Sequence, residues 1–155
     1  MPAEVDPIAV IGRALQHPCV SDLPPTFDNS EQAALDEIGR RLRAQGWAEH
    51  VTVARLLSDW RALASSVDRY RLTIDDYTND LVSRDGLELV LAACTPPLLD
   101  RLRPWDAADR EFTERTDADP DEAIGRFYHR DDLSGWWWKR RPSSGPLADY
   151  LAEAF

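Results

Sequence analysis

The sequence predicts an all-α protein, an irregular bundle of about five to seven helices closed by an irregular, aromatic-rich C-terminal segment. Three observations carry that expectation. Val53, Leu56, Leu57, Trp60, Leu63, Ala64, Val67 and Tyr70 recur at i, i+3, i+4 and i+7, one helical face of roughly five turns that a half-buried strand cannot present. Capping residues precede several further apolar runs. No stretch alternates apolar and polar residues long enough to read as a strand.

Taken in order, Asp6-Pro7 reads as an N-cap followed by proline at the first helical position, and Ile8, Ile11 and Leu15 hold helical spacing until Pro18. Pro24-Pro25 and Asp28-Asn29 mark a loop that Phe27 anchors to the core. A second helix is expected from about Ser30 to Gln45, with Leu35, Ile38 and Leu42 inward and Gly46 as its C-terminal cap. The third is the periodic run already described. Thr73 with Asp76 forms a capping box for a fourth helix reaching Ala92. Gly86 weakens that helix by ~1 kcal/mol relative to alanine, so a bend or break is expected near Arg84 to Gly86. Thr95-Pro96-Pro97 caps a fifth helix carrying Leu98, Leu99 and Leu102, and Pro104 kinks the chain or begins another with Trp105 and Phe112. From Asp117 to Gly145 the pattern fades into irregular structure, with only a weak helical start at Asp119-Pro120. Leu147, Tyr150 and Leu151 suggest a short closing helix. The 155 residues show no repeat and no linker, so one domain over 1–155 is expected.

Against 18 basic residues stand 28 acidic ones, a net charge of −10. That balance argues against binding nucleic acid or an anionic membrane and in favour of a basic protein partner. The apolar run Ile8 to Ile11 is too short for a signal-peptide core, and no stretch approaches a membrane span. Cys19 and Cys94 are the only cysteines and form no CxxC, which points to a reducing, cytoplasmic setting.

Motifs for chemistry are absent or incomplete. Asp117, Asp119 and Asp121 open like a calcium loop, but Glu122 stands where glycine is needed and Tyr128 where a bidentate glutamate is needed. His17, His50 and His129 have no metal-ligand spacing, and neither a nucleophile elbow nor a phosphate-binding loop occurs. No cofactor, metal site or catalytic residue is expected on these grounds. An enzyme remains the alternative, with Asp131, Asp132 and His129 as acid, base or metal groups.

Two constellations stand out as binding surfaces. On the fourth helix Asp75, Asp76, Asn79, Asp80 and Ser83 cluster opposite Ile74, Tyr77 and Leu81. Asp76 and Asp80 repel by a few tenths of a kcal/mol, partly relieved by an Asp80–Arg84 pair, so substituting both by asparagine is expected to leave stability unchanged or slightly raised. Asp75 and Asp76 also complement the positive end of the helix dipole. The second constellation is Trp136-Trp137-Trp138-Lys139-Arg140-Arg141. A strand would turn Trp137 away from its neighbours and a helix would fan the three over about 200°, so one tryptophan, Trp137, is expected outward as a binding anchor. The alternative is that the segment folds over the end of the bundle, its cations pairing with the acids of Asp117 to Asp132.

These features describe an acidic binding module that uses Asp75, Asp76, Tyr77, Asn79, Asp80 and Trp137 to dock on a basic protein. A homodimer through the tryptophans is a further alternative. In size, acidity and helicity the chain is similar to bacterial immunity and antitoxin proteins that neutralise basic nuclease toxins, a likeness of class that implies the same kind of partner.

Overall fold

A computed structural model describes residues 26–102, 104–119, 122–128 and 134–154. The expected helix at Ile8 to Leu15 and the alternative catalytic residues His129, Asp131 and Asp132 lie outside these. The described chain is helical throughout its larger part. Its helices are α1 (Asn29–Ala44), α2 (Val53–Ser66), α3 (Ile74–Ala93), α4 (Pro96–Arg101), α5 (Pro104–Glu114), α6 (Ala123–Tyr128) and α7 (Pro146–Ala154). Two 3-10 turns, Val67–Arg69 and Trp136–Lys139, and two short strands, β1 (Thr116–Ala118) and β2 (Arg140–Pro142), complete it.

Local chemistry explains where the helices start. Asp28 and Glu31 exchange side-chain and backbone bonds in a capping box at α1, and Thr73 and Asp76 do the same at α3. Thr52 accepts from the backbone N–H of Arg55 at α2. Past the end of α1, Gly46 adopts a φ of 104°, the left-handed conformation that glycine takes without steric cost.

The hydrophobic centre is α2, which packs most extensively against α3 and α5. Its whole periodic stripe is buried, from Val53 through Trp60 to Ala64. Trp60 is fully buried and stacks obliquely on Phe112 of α5, ring centroids 4.7 Å apart. Such aromatic pairs add stability beyond the area they remove from water.

The break considered for α3 does not occur. The helix runs unbroken through Gly86, which is buried at the contact with α2. A Cβ there would lie 2.9 Å from Leu56 Cδ2 and 3.0 Å from Trp47. Close helix packing thus offsets the weak helix propensity of glycine.

The stretch expected to be irregular is more ordered than its composition suggests. β1 and β2 pair antiparallel, with Thr116 opposite Pro142, Asp117 opposite Arg141 and Ala118 opposite Arg140. Asp119 Oδ2 accepts the backbone N–H of Ile124 at 2.9 Å, tying the strand to α6. The pairing bridges residues more than twenty positions apart, and local periodicity carries no signal of it. Pro104 begins α5 rather than kinking α4. Leu147 and Leu151 of α7 are buried, and the Leu147 N–H donates to the carbonyl of Tyr70.

Candidate functional site

The acidic face of α3 is present, but its residues divide. Asp75 and Asn79 are exposed, whereas Tyr77 is fully buried and its hydroxyl donates to the Arg140 carbonyl at 3.0 Å. Tyr77 is therefore a core residue under the C-terminal segment rather than a surface anchor. On the helical wheel it belongs to the stripe of Ile74 and Leu81, both buried.

Asp76 serves the capping box. Its carboxylate accepts from the Thr73 hydroxyl at 2.7 Å and the Thr73 N–H at 3.1 Å, and these two bonds hold its pKa below the usual value. Asp80 is half-buried and accepts from the Tyr70 hydroxyl at 2.6 Å. Burial pushes the Asp80 carboxyl up, the Tyr70 bond pulls it down, and the charges of Asp76 and Asp59 push it up again, so that the net direction is upward. Burial likewise raises the Tyr70 phenol, helped by its bond to Asp80.

The expected Asp80–Arg84 pair is not formed. Arg84 turns to the other side of α3, where it is buried and grips Asp109 of α5 bidentately, both bonds at 2.9 Å, while a third bond reaches Glu88 at 2.7 Å. Burial opposes its charge, but the bonds to Asp109 and Glu88 outweigh it and raise its pKa. Three indole rings surround the guanidinium: Trp137 at 4.5 Å, Trp105 at 5.6 Å and Trp60 at 5.9 Å. Trp60 Nε1 also donates to Asp109 at 2.8 Å.

Trp137 is accordingly not the outward tryptophan. Both Trp137 and Trp138 are buried, and both donate their indole N–H to Asp85 Oδ1 at 2.9 Å. Trp136 is the exposed one, at 37%. The segment is neither strand nor α-helix but a 3-10 turn, so neither periodicity considered from the sequence applied to it. Among the described residues the adjoining cation Arg140 forms no ion pair with an acid of the loop either. Its guanidinium donates to Thr116 Oγ1 and to the carbonyls of Thr113 and Thr116.

The surface that remains is a cleft between α2 and α3. Two adjoining hollows of ≈ 440 Å³ and ≈ 300 Å³ share Arg55, Asp59 and Asp80 in their walls, and the second also meets Asn79 and His50. Asp59 and Tyr70 were not singled out from the sequence. Asp59 stands on the polar side of the α2 pattern, while Tyr70 closed its apolar stripe and so read as core alone. Among the described residues no group of three or more histidine, cysteine or acidic side chains is placed to hold a metal ion. No described helix is long and apolar enough to cross a membrane.

These positions revise the expectation for the two aspartates. Asp80→Asn keeps an oxygen for the Tyr70 hydroxyl and removes a half-buried charge whose pKa is raised. It should therefore leave stability unchanged or slightly raised at neutral pH. The difference should vanish in acid, where Asp80 of the parent is itself protonated. Asp76→Asn weakens the capping box and should destabilise; removing its partner by Thr73→Ala should cost ~1 kcal/mol. Denaturant melts of the three single variants at neutral and acidic pH check this.

Comparison with protein-family models, curated proteins and solved structures finds no match for this chain.

Proposed function

We propose that the protein is an acidic binding module that docks on a basic protein through the exposed side of α3 and the adjoining lip of α2. The carrying observation is a cluster of carboxylates at the start of one helix that has no cation partner among the described residues. α1 pairs Glu37 with Arg40 and Arg41, α2 pairs Asp59 with Arg55, and α5 pairs Asp106 with Arg110 and Glu111 with Arg115. At the start of α3, by contrast, Asp75, Asp76 and Asp80 have no cation within ion-pair distance among the described residues, and Asp59 adds its field to theirs. A basic surface brought against this face would relieve that repulsion, steer association and make it salt-sensitive.

The residues that support this reading are Asp75, Asn79 and Asp80, with Asp59 beside them. Tyr77 and Trp137 act behind the surface, holding α3 against the C-terminal segment. An inhibitor of immunity or antitoxin type is one form such a module takes, since the nucleases those proteins neutralise are basic.

Charge reversal tests it. The Asp75→Lys/Asn79→Lys variant changes only exposed side chains and should fold. Immobilised parent protein should retain from the native host a basic protein that the variant does not retain and that leaves as salt is raised. Equal retention by parent and variant, or retention indifferent to salt, would overturn the reading.

A further inference from the structure

The ≈ 440 Å³ hollow lies where the C-terminal half of α2 meets the 3-10 turn and the beginning of α3, and its volume is that of a small-ligand site, roughly 300–1,000 Å³. Its charges are mixed. Asp59 and Asp80 share its walls with Arg55, Arg69 and Arg71. Arg55 is committed to Asp59 at 3.0 Å. Arg69 makes only a 3.4 Å contact with the Ser65 carbonyl, and Arg71 forms no hydrogen bond or ion pair among the described residues.

Two guanidinium groups without a carboxylate and one carboxylate without a cation therefore line the same hollow. They do not satisfy each other, since no ion pair joins Asp80 to either arginine. A molecule carrying both charges on a short scaffold would satisfy all three. A carboxylate suits the forked donors of arginine, and an ammonium or guanidinium suits Asp80. Leu72, 59% exposed on the same wall, offers apolar surface to the methylene stem between them.

We propose that this hollow binds a basic residue with a free carboxylate, its side-chain cation on Asp80 and its carboxylate on Arg69 and Arg71. A free basic amino acid and the carboxy-terminal lysine or arginine of a peptide present this same chemistry. The inference goes beyond docking of a basic protein, because it needs neither Asp75 nor Asn79 and depends on arginines that a purely basic surface would avoid.

The test is an amide-resolved NMR titration of the full chain with L-arginine, with arginine amide, which lacks the carboxylate, and with Gly-Gly-Arg. L-Arginine or Gly-Gly-Arg should give saturable shifts at Tyr70, Leu72 and Asp80 with a dissociation constant on the order of millimolar. Arginine amide should bind about tenfold more weakly. Tighter binding of Gly-Gly-Arg than of L-arginine identifies a peptide terminus as the source, and the reverse identifies the free amino acid. Arg71→Ala, at an exposed and unpaired position, should bring both carboxylated probes down to the level of the amide, and Asp80→Asn should weaken all three. Asp75→Lys/Asn79→Lys should leave the titration unchanged, which separates this site from the docking face. Absence of saturable shifts with both carboxylated probes, equal binding of L-arginine and its amide, or unaltered binding by Arg71→Ala would overturn the proposal.

Discussion

Replacing Arg84 by methionine should cost about 3 to 5 kcal/mol of folding stability, the range for removing one partner of a buried ion pair. Methionine approximates the packing of the arginine stem but leaves Asp109, whose side chain is only 14% exposed, without its bidentate cation. Trp60 Nε1 alone would then neutralise nothing, and three indole rings would lose the charge they surround. Lysine at 84 should recover part of the loss, since it restores a charge without the two-pronged geometry. Urea denaturation of Arg84→Met, Arg84→Lys and Asp109→Leu, with the Arg84→Met/Asp109→Leu double variant, measures the coupling. The double variant should be less destabilised than the sum of the two singles, because it buries no orphaned charge. Additive effects would show that the pair is weak.

The tryptophan run should give the second large effect, and an uneven one. Trp138→Ala and Trp137→Ala should each cost about 3 to 5 kcal/mol, the range for emptying a large buried aromatic site. Trp138 is 2% exposed and stacks on Tyr128 at 5.0 Å. Trp137 lies over Arg84 and shares Asp85 with Trp138, so its loss also uncovers the buried ion pair. Trp136, partly exposed and in edge contact with Phe112, should cost clearly less. Denaturant melts of the three single variants distinguish this order from the alternating order that a strand would impose.

What the sequence made legible follows from how far apart the interacting residues are. The stripe of α2 and the capping box of α3 depend on residues within a few positions of one another, and they appear in the structure at nearly the expected bounds. The strand pair could not be read, because Thr116 and Pro142 meet only through the tertiary fold. The same holds for Arg84. At i+4 from Asp80 it looked like a surface partner, yet the carboxylate it grips bidentately is Asp109, twenty-five residues away, with Glu88 one turn on as its second partner. Five acidic-face positions were correctly put on one helix, but which of them reach solvent was settled by what packs beside α3. Tyr77 is covered by the C-terminal segment, whereas Asp75 and Asn79 are not. Asp80 lies between these cases because Tyr70, on the chain leading into α3, folds back to meet it.

Carboxyl footprinting of the protein alone and bound to its captured basic partner tests the docking face most directly, since carbodiimide labelling reads each acidic side chain separately. Loss of labelling at Asp75, Asp59 and Asp80 on binding, with Glu114, Glu153 and Asp149 unchanged, is the result expected. Unchanged labelling at Asp75 and Asp80 together with protection elsewhere would contradict the assignment of this face as the binding surface.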